Sequence, residues 1–223
     1  HSPTPYYEVD GDCLLVGGRR LTELAAEIGH TPFYVYDRAV MDRRVRELRA
    51  ALPADLKLHY AIKANPMPAV VQHLARQVDG LDVASGRELA VALATDTPRR
   101  EISFAGPGKT DAELEAAARA GIIVNLESEG EMRRLARIGT RLDLRPAVAV
   151  RINPDFELKT SGMKMSGGPK QFGIDAELVP AVLAELRALP LEFVGFHIYS
   201  GSQNLRVEAL IEAQDQTVEL ALR

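Results

Sequence analysis

Residues 58–66 read LHYAIKANP, residues 80–89 read GLDVASGREL and residues 102–109 read ISFAGPGK. Each stretch begins with a short run of apolar, β-branched or aromatic residues. Each ends on polar or turn-forming ones, such as Lys63-Ala64-Asn65-Pro66, where the proline disfavours helix at Asn65. Amphipathic segments at 68–78 and 88–94 separate them. The alternation continues downstream. A helix is predicted over 110–120, opened by Thr110 and Glu113 at capping-box spacing. A strand follows at 122–126, then a helix at 128–138, with Ser128 and Glu131 at the same spacing. Strands are predicted at 145–152 (RPAVAVRI) and 192–198 (EFVGFHI), and a final helix over 205–223. Apolar strands joined by helices argue for parallel pairing with helical crossovers. A doubly wound sheet has the same local pattern. The compact repeat, about 20–25 residues through 138, favours a (β/α) barrel.

Upstream, 31–37 (TPFYVYD) is aromatic and β-branched and predicts a strand, and 38–52 predicts an amphipathic helix with a basic face. One segment breaks the rhythm. Residues 154–172 (PDFELKTSGMKMSGGPKQF) are long, glycine-bearing and lysine-bearing, the character either of a flexible surface excursion or of a substrate or cofactor loop.

The whole chain has 223 residues, 46% of them hydrophobic, which excludes wholesale disorder. With 27 basic against 31 acidic residues it has no nucleic-acid footprint. The single cysteine, Cys13, cannot form an internal disulfide, so a reducing compartment is expected. No run approaches the roughly 20 apolar residues of a membrane span, and the polar start is no signal peptide. The reading is a soluble, cytoplasmic protein without a membrane partner. The chain opens His1-Ser2-Pro3 without a methionine, as a processed chain or a piece of a longer one would.

Polar residues recur where the strands end. Lys63 follows its strand directly, Asp82 lies within the next, Asn125 and Glu127 close another, Arg151 and Asn153 the one after, and His197 and Ser200 the last. In a (β/α) barrel the C-terminal strand ends build the active site. Lys63, in an apolar context, is the sharpest candidate: burial depresses an amine's pKa, and a neutral amine forms imines. The plainer reading makes it an ion-pair partner of Asp82. His197 is either a strand-end histidine bonded to backbone or a plane on which an aromatic cofactor stacks, with Gly195 and Gly201 allowing close approach. Residues 200–204 (SGSQN) precede a helix and supply hydroxyl and N–H groups that suit phosphate. There is no Walker loop and no GxSxG elbow, and the five histidines show no metal-ligand spacing.

The ordered set LHYAIKANP, GLDVASGREL, ISFAGPGK, VRINP (150–154) and GFHIYSGSQ (195–203) resembles the pyridoxal-phosphate-dependent decarboxylases of the ornithine, diaminopimelate and arginine type. The loop SGMKM…GGPKQFG and the stretch HIYSGSQNL look closest to the diaminopimelate-decarboxylase-like subgroup associated with exosortase systems. The resemblance implies an alanine-racemase-like fold, a (β/α)8 TIM-type barrel plus a β domain, and pyridoxal 5'-phosphate as cofactor. It implies that Lys63 forms the internal aldimine, that His197 stacks on the pyridine ring and that Ser200, or Ser202, binds the phosphate. Asp82 and Glu88 match acidic positions near the lysine, and Arg151 an arginine near the ring. The family's Ser-Lys-Phe-Gly reads Lys170-Gln171-Phe172-Gly173 here, a departure that bears on substrate recognition.

The resemblance also implies an organisation. Residues 1–37 would contribute to the β domain and 38–223 would form a partial barrel, with strands near Tyr60, Asp82, Phe104, Val124, Val150 and His197 as six of eight. The family's glycine-rich phosphate loop, its EPGR-type segment and its Cys-Asp segment would all lie beyond Arg223, so this stretch alone is expected to be inactive. The expected activity is decarboxylation of a diaminopimelate-like or basic amino acid by a homodimer. The alternatives are a racemase of the same fold and a non-catalytic barrel that binds pyridoxal phosphate.

Overall fold

The computed structural model describes residues 6–156, 171–199, 201 and 206–223. The chain divides into two compact units, His1–Leu58 and His59–Arg223.

In the first unit, β1 (Val9–Asp10), β2 (Cys13–Val16) and β3 (Arg19–Arg20) form an antiparallel sheet in that order. Gly17 and Gly18 join β2 to β3 with φ of 59° and 74°. A two-residue hairpin turn of this hand needs both residues at positive φ, which glycine adopts without strain. Helix α1 (Leu21–Ile28) follows, then α2 (Arg38–Ala51), whose first turn is capped by the Asp37 carboxylate accepting from Ala39 N–H at 2.8 Å. The strand expected over 31–37 is absent. The segment has strand-forming side chains, but no described strand pairs with it, and Tyr34 is 88% exposed. Propensity without a hydrogen-bonding neighbour does not make a strand.

The second unit carries the parallel sheet. Its strands are β4 (His59–Ala61), β5 (Gly80–Val83), β6 (Ile102–Phe104), β7 (Ile123–Leu126), β8 (Ala147–Asn153), β9 (Ile174–Asp175) and β10 (Glu192–Ile198). Among the described residues they pair in the order β10-β8-β7-β6-β5-β4, with β9 added to the end of β8, and every pairing is parallel. The six strands of the main path are the six expected. The two-residue β9 is an addition.

The crossovers are α3 (Pro68–Ala75), α4 (Gly86–Leu93), α5 (Asp111–Ala120), α6 (Glu129–Leu142) and α7 (Val179–Leu186), and α8 (Val207–Leu222) follows β10. Their starts are chemically marked. Thr110 and Glu113 make the full capping box expected of them. Ser128 accepts from Glu131 N–H, but the Glu131 carboxylate turns inward to Lys109 and to Glu127 N–H instead of closing the box. Pro68 and Pro180 occupy first-turn positions, where a missing N–H costs nothing.

Register and alternation decide which face is chemical. Ala61 pairs with Asp82, Asp82 with Ser103 and His197 with Arg151. Paired residues of parallel strands share a face, as do residues two apart. Asp82, Ser103, Asn125, Glu127, Arg151 and His197 therefore line one face. The other face carries Leu81, Val83, Ile102, Phe104, Val124, Leu126, Val148, Val150 and Ile152. All belong to the buried core, together with Leu89, Leu114, Met132 and Leu135 from the helices. Burial of that apolar layer, at about 25 cal/mol per Å2, holds the unit together.

Candidate active site

The polar face is wired strand to strand. His59 Nδ1 lies 3.2 Å from Asp82 Oδ1, and the same oxygen accepts from Ser103 Oγ at 2.7 Å. Asn125 Nδ2 donates to Ser103 Oγ at 3.2 Å. Burial pushes the Asp82 carboxyl up, but the bonds from His59 and Ser103 and the nearby imidazoles outweigh it, leaving the group below its ordinary value. The bond to Asp82 raises His59, with burial opposing and Glu101 and Asp79 adding to the rise.

Further along, four buried ionic side chains form two pairs. Arg151 Nη1 donates to both Glu127 oxygens, at 2.7 and 3.0 Å. Lys109 Nζ donates to both Glu131 oxygens, at 3.0 and 3.1 Å, and to the carbonyls of Gly106 and Asn125. All four residues are 7% exposed or less. Burial pulls the Lys109 ammonium down, and Glu131 opposes it. Buried charges persist only when paired and hydrogen-bonded in this way.

His197 sits beside Arg151 in register. Burial first, then the Arg151 charge, lowers it to about 4, and the charges of Glu127 and Asp82 resist. The ring is thus neutral near pH 7, and its Nδ1 is buried with no partner among the described residues. Gly195 has φ of 148° and closes a register shift in β10 between Phe193 and Gly195, so the strand re-aims just before the histidine.

Lys63 falls in a single 3-10 turn, Ile62–Ala64, directly after β4. The residue is exposed, not buried as its apolar neighbours imply, and among the described residues it makes no hydrogen bond or ion pair. The plainer reading, a pair with Asp82, is therefore not realised; that carboxylate meets His59 and Ser103 through Oδ1 instead. Glu88 acts locally, its carboxylate accepting from Ala84 N–H at 2.7 Å at the start of α4. Ser200 and Ser202 lie outside the described residues, as does most of the 154–172 loop. The structure thus brings Asp82, Arg151 and His197 together on one face, with Lys63 at the end of the neighbouring strand.

Sequence reasoning missed Lys109, Glu131 and the Phe172–Gly173 turn as parts of this assembly. Lysine in the turn after β6 and glutamate in the first turn of α6 are ordinary surface signals. What marked them was position, at the C-terminal end of the strands. Of the departure segment, the two residues shared with the family pattern make the contacts. Gly173 N–H donates to Glu127 at 3.0 Å, and the Arg151 guanidinium lies 5.0 Å from the Phe172 ring centroid.

A cavity of about 770 Å3 lies elsewhere, between α7, α8 and the end of β8, lined by Ile152, Leu183, Phe196 and Leu220 among others. It includes none of Lys63, Asp82, Arg151 or His197. Among the described residues no cluster of His, Cys, Asp or Glu is placed to hold a metal ion, and no helix is long and apolar enough to cross a membrane.

Comparison with known proteins agrees with this fold. The diaminopimelate decarboxylase of Aquifex aeolicus is 36% identical over 219 residues, 97% of this chain and 52% of that protein. A Niallia circulans decarboxylase named for an L-glutamyl acyl-carrier protein is 35% identical over 192 residues, 85% of this chain and 45% of that one. The crystal structure of diaminopimelate decarboxylase from M. jannaschii in complex with L-lysine superposes with a TM-score of 0.82 at 29% identity, covering 96% of this chain and 53% of that one. The chain thus spans about half the length of the relatives it matches. The parallel strands belong to the alanine-racemase-like barrel of these neighbours. Residues 38–222 match the family model described as pyridoxal-dependent decarboxylase, pyridoxal binding domain, and the chain belongs to that family.

Proposed function

We propose that the protein decarboxylates an amino acid, with pyridoxal phosphate held across the C-terminal ends of β4, β5, β8 and β10. The carrying observation is the imidazole of His197 in register with Arg151, on the sheet face that also carries Asp82, with an amine unpaired among the described residues, Lys63, ending the strand next to that of Asp82. These residues fit the cofactor. Lys63 supplies the primary amine to join its aldehyde, and His197 supplies a flat uncharged ring to lie against the pyridine. Ser200 or Ser202 would meet the phosphate. When bound, the cofactor supplies an electron sink for the bond that breaks.

The protein's own part is placement. Burial keeps His197 neutral, so it would lie against the ring without adding a charge there. Arg151 is held in place by Glu127, and the bonds from His59 and Ser103 hold the Asp82 carboxyl below its ordinary value. The N–H groups at the start of α8, the helix after β10, would suit the phosphate end. On this reading residues 38–223 are the cofactor barrel, residues 1–37 contribute to a second, β domain, and the whole protein works in the cytoplasm as a homodimer.

The substrate class is a diaminopimelate-like or basic amino acid. Relatives named diaminopimelate decarboxylase and a neighbour solved with L-lysine support it. The features nearest the exosortase-associated subgroup fall largely at 157–170, 200 and 202–205, outside the described residues. The test is carbon dioxide release by the whole protein with pyridoxal phosphate, across a panel of amino acids. Release from one α-amino acid, abolished by Lys63→Ala, is expected. Racemisation without carbon dioxide, or cofactor binding with no turnover of any member, contradicts the proposal.

A further inference from the structure

Glu127 is 4% exposed, yet its carboxylate gathers donors from three separate elements. Arg151 of β8 donates to both oxygens, Gly106 N–H after β6 donates to one at 2.5 Å, and Gly173 N–H before β9 donates to the other at 3.0 Å. Its own backbone is fixed in turn, because Glu127 N–H donates to Glu131 at 2.8 Å. The turn it grips is pressed onto β8. Gly173 has φ of 76°, and a Cβ there would lie 3.0 Å from Arg151 O and Asn153 N. Phe172 is thereby set on the guanidinium of Arg151, a cation–π contact. Arg151 is thus gripped at Nη1 by a carboxylate and covered on one face by a ring, at the register position of His197.

We propose that Glu127 is a positioning residue for the cofactor site: it fixes the Arg151 guanidinium and the Phe172–Gly173 turn in one arrangement, and acts on the reaction only through Arg151. The inference rests on the proposed function and adds to it a residue, two positions beyond Asn125, that serves to aim a neighbour. It is not a catalytic residue. Its charge is spent on Arg151 and two backbone amides, and a buried carboxylate so committed has no free lone pair in good geometry for a substrate.

A double-mutant cycle on the whole protein tests it, read by the pyridoxal phosphate dissociation constant and by kcat. Glu127→Gln keeps the shape and removes the charge. It is expected to weaken cofactor binding and lower kcat by about 10–100-fold, the scale of a misplaced group in a site. Glu127→Asp, which keeps the charge, is expected to recover part of both. Arg151→Gln is expected to do comparable damage, and Glu127→Gln with Arg151→Gln no more than Arg151→Gln alone, because residues acting as one unit are not additive. Losses that multiply in the double variant overturn the proposal, as does Glu127→Gln behaving like the parent. If Glu127→Gln alone does not fold, the double variant, which strands no charge, is compared with Arg151→Gln: equality supports the inference and a further tenfold loss overturns it. If neither folds, Glu127 serves the fold and not Arg151, and the proposal fails. A parent protein that takes no cofactor onto Lys63 defeats the functional reading instead. A parent that is labelled and active, with additive losses, defeats this inference alone.

Discussion

Single residues at this site are tuned in opposite directions by their surroundings. His197 is lowered from 6.5 to about 4 by burial. Its unfolded form binds a proton more readily than its folded form, so its contribution to stability is full above pH 6.5 and is lost as pH falls toward 4. His59 is raised by Asp82. Its contribution is full below pH 6.5 and is lost as pH rises through its raised value. Imidazole NMR titration of the cofactor-free protein should show the two moving apart, and His197→Gln should flatten the acid-side loss of stability in urea unfolding. Titration of His197 near its ordinary value of 6.5 would contradict this. The buried pair makes a second prediction. Lys109→Met strands the Glu131 carboxylate and should cost about 3–5 kcal/mol, whereas Lys109→Met with Glu131→Leu should cost far less. Denaturant unfolding of both variants checks it.

Among the elements, β5 is held by a close approach at its first residue. A Cβ on Gly80 would lie 2.3 Å from Glu101 O and 2.5 Å from His59 Nε2. Gly80→Ala must therefore shift backbone and the histidine that bonds Asp82, at a cost of roughly 1–3 kcal/mol in unfolding free energy. Helix α5 depends on its cap, and Thr110→Ala should cost about 1 kcal/mol by the same measurement.

Much of this level was readable from residues. The strand ends and capping pairs came from alternation and from Thr110, Ser128, Glu113 and Glu131. The failures have causes. Residues 31–37 have a strand's side chains and no described partner, and pairing cannot be read from one segment. The β2–β3 hairpin carried its signal in Gly17-Gly18, a two-residue glycine turn between strand-forming residues. Strand β9 is only two residues long, below what periodicity detects.

For the whole molecule, the order of motifs foretold six parallel strands, and the sheet has them in sequence order along its main path. The candidate site was legible as a rim of polar strand ends because RIN at the end of β8 and FHI at the end of β10 alternate polar with apolar positions. Its wiring was not legible. Nothing local in Lys109 or Glu131 says that they are buried, since that follows only when neighbouring strands converge. Nor could the sequence show that Asp82 bonds His59 and Ser103, or that Lys63 has no counter-ion among the described residues. That last point is central, because an amine without a carboxylate partner is available to a cofactor aldehyde.

The direct measurement is borohydride reduction of the whole protein loaded with pyridoxal phosphate, followed by peptide mass spectrometry. A cofactor-derived mass on Lys63, absent from Lys63→Ala, is the predicted result. The label on Lys109 or another lysine, with Lys63 unmodified, would contradict it.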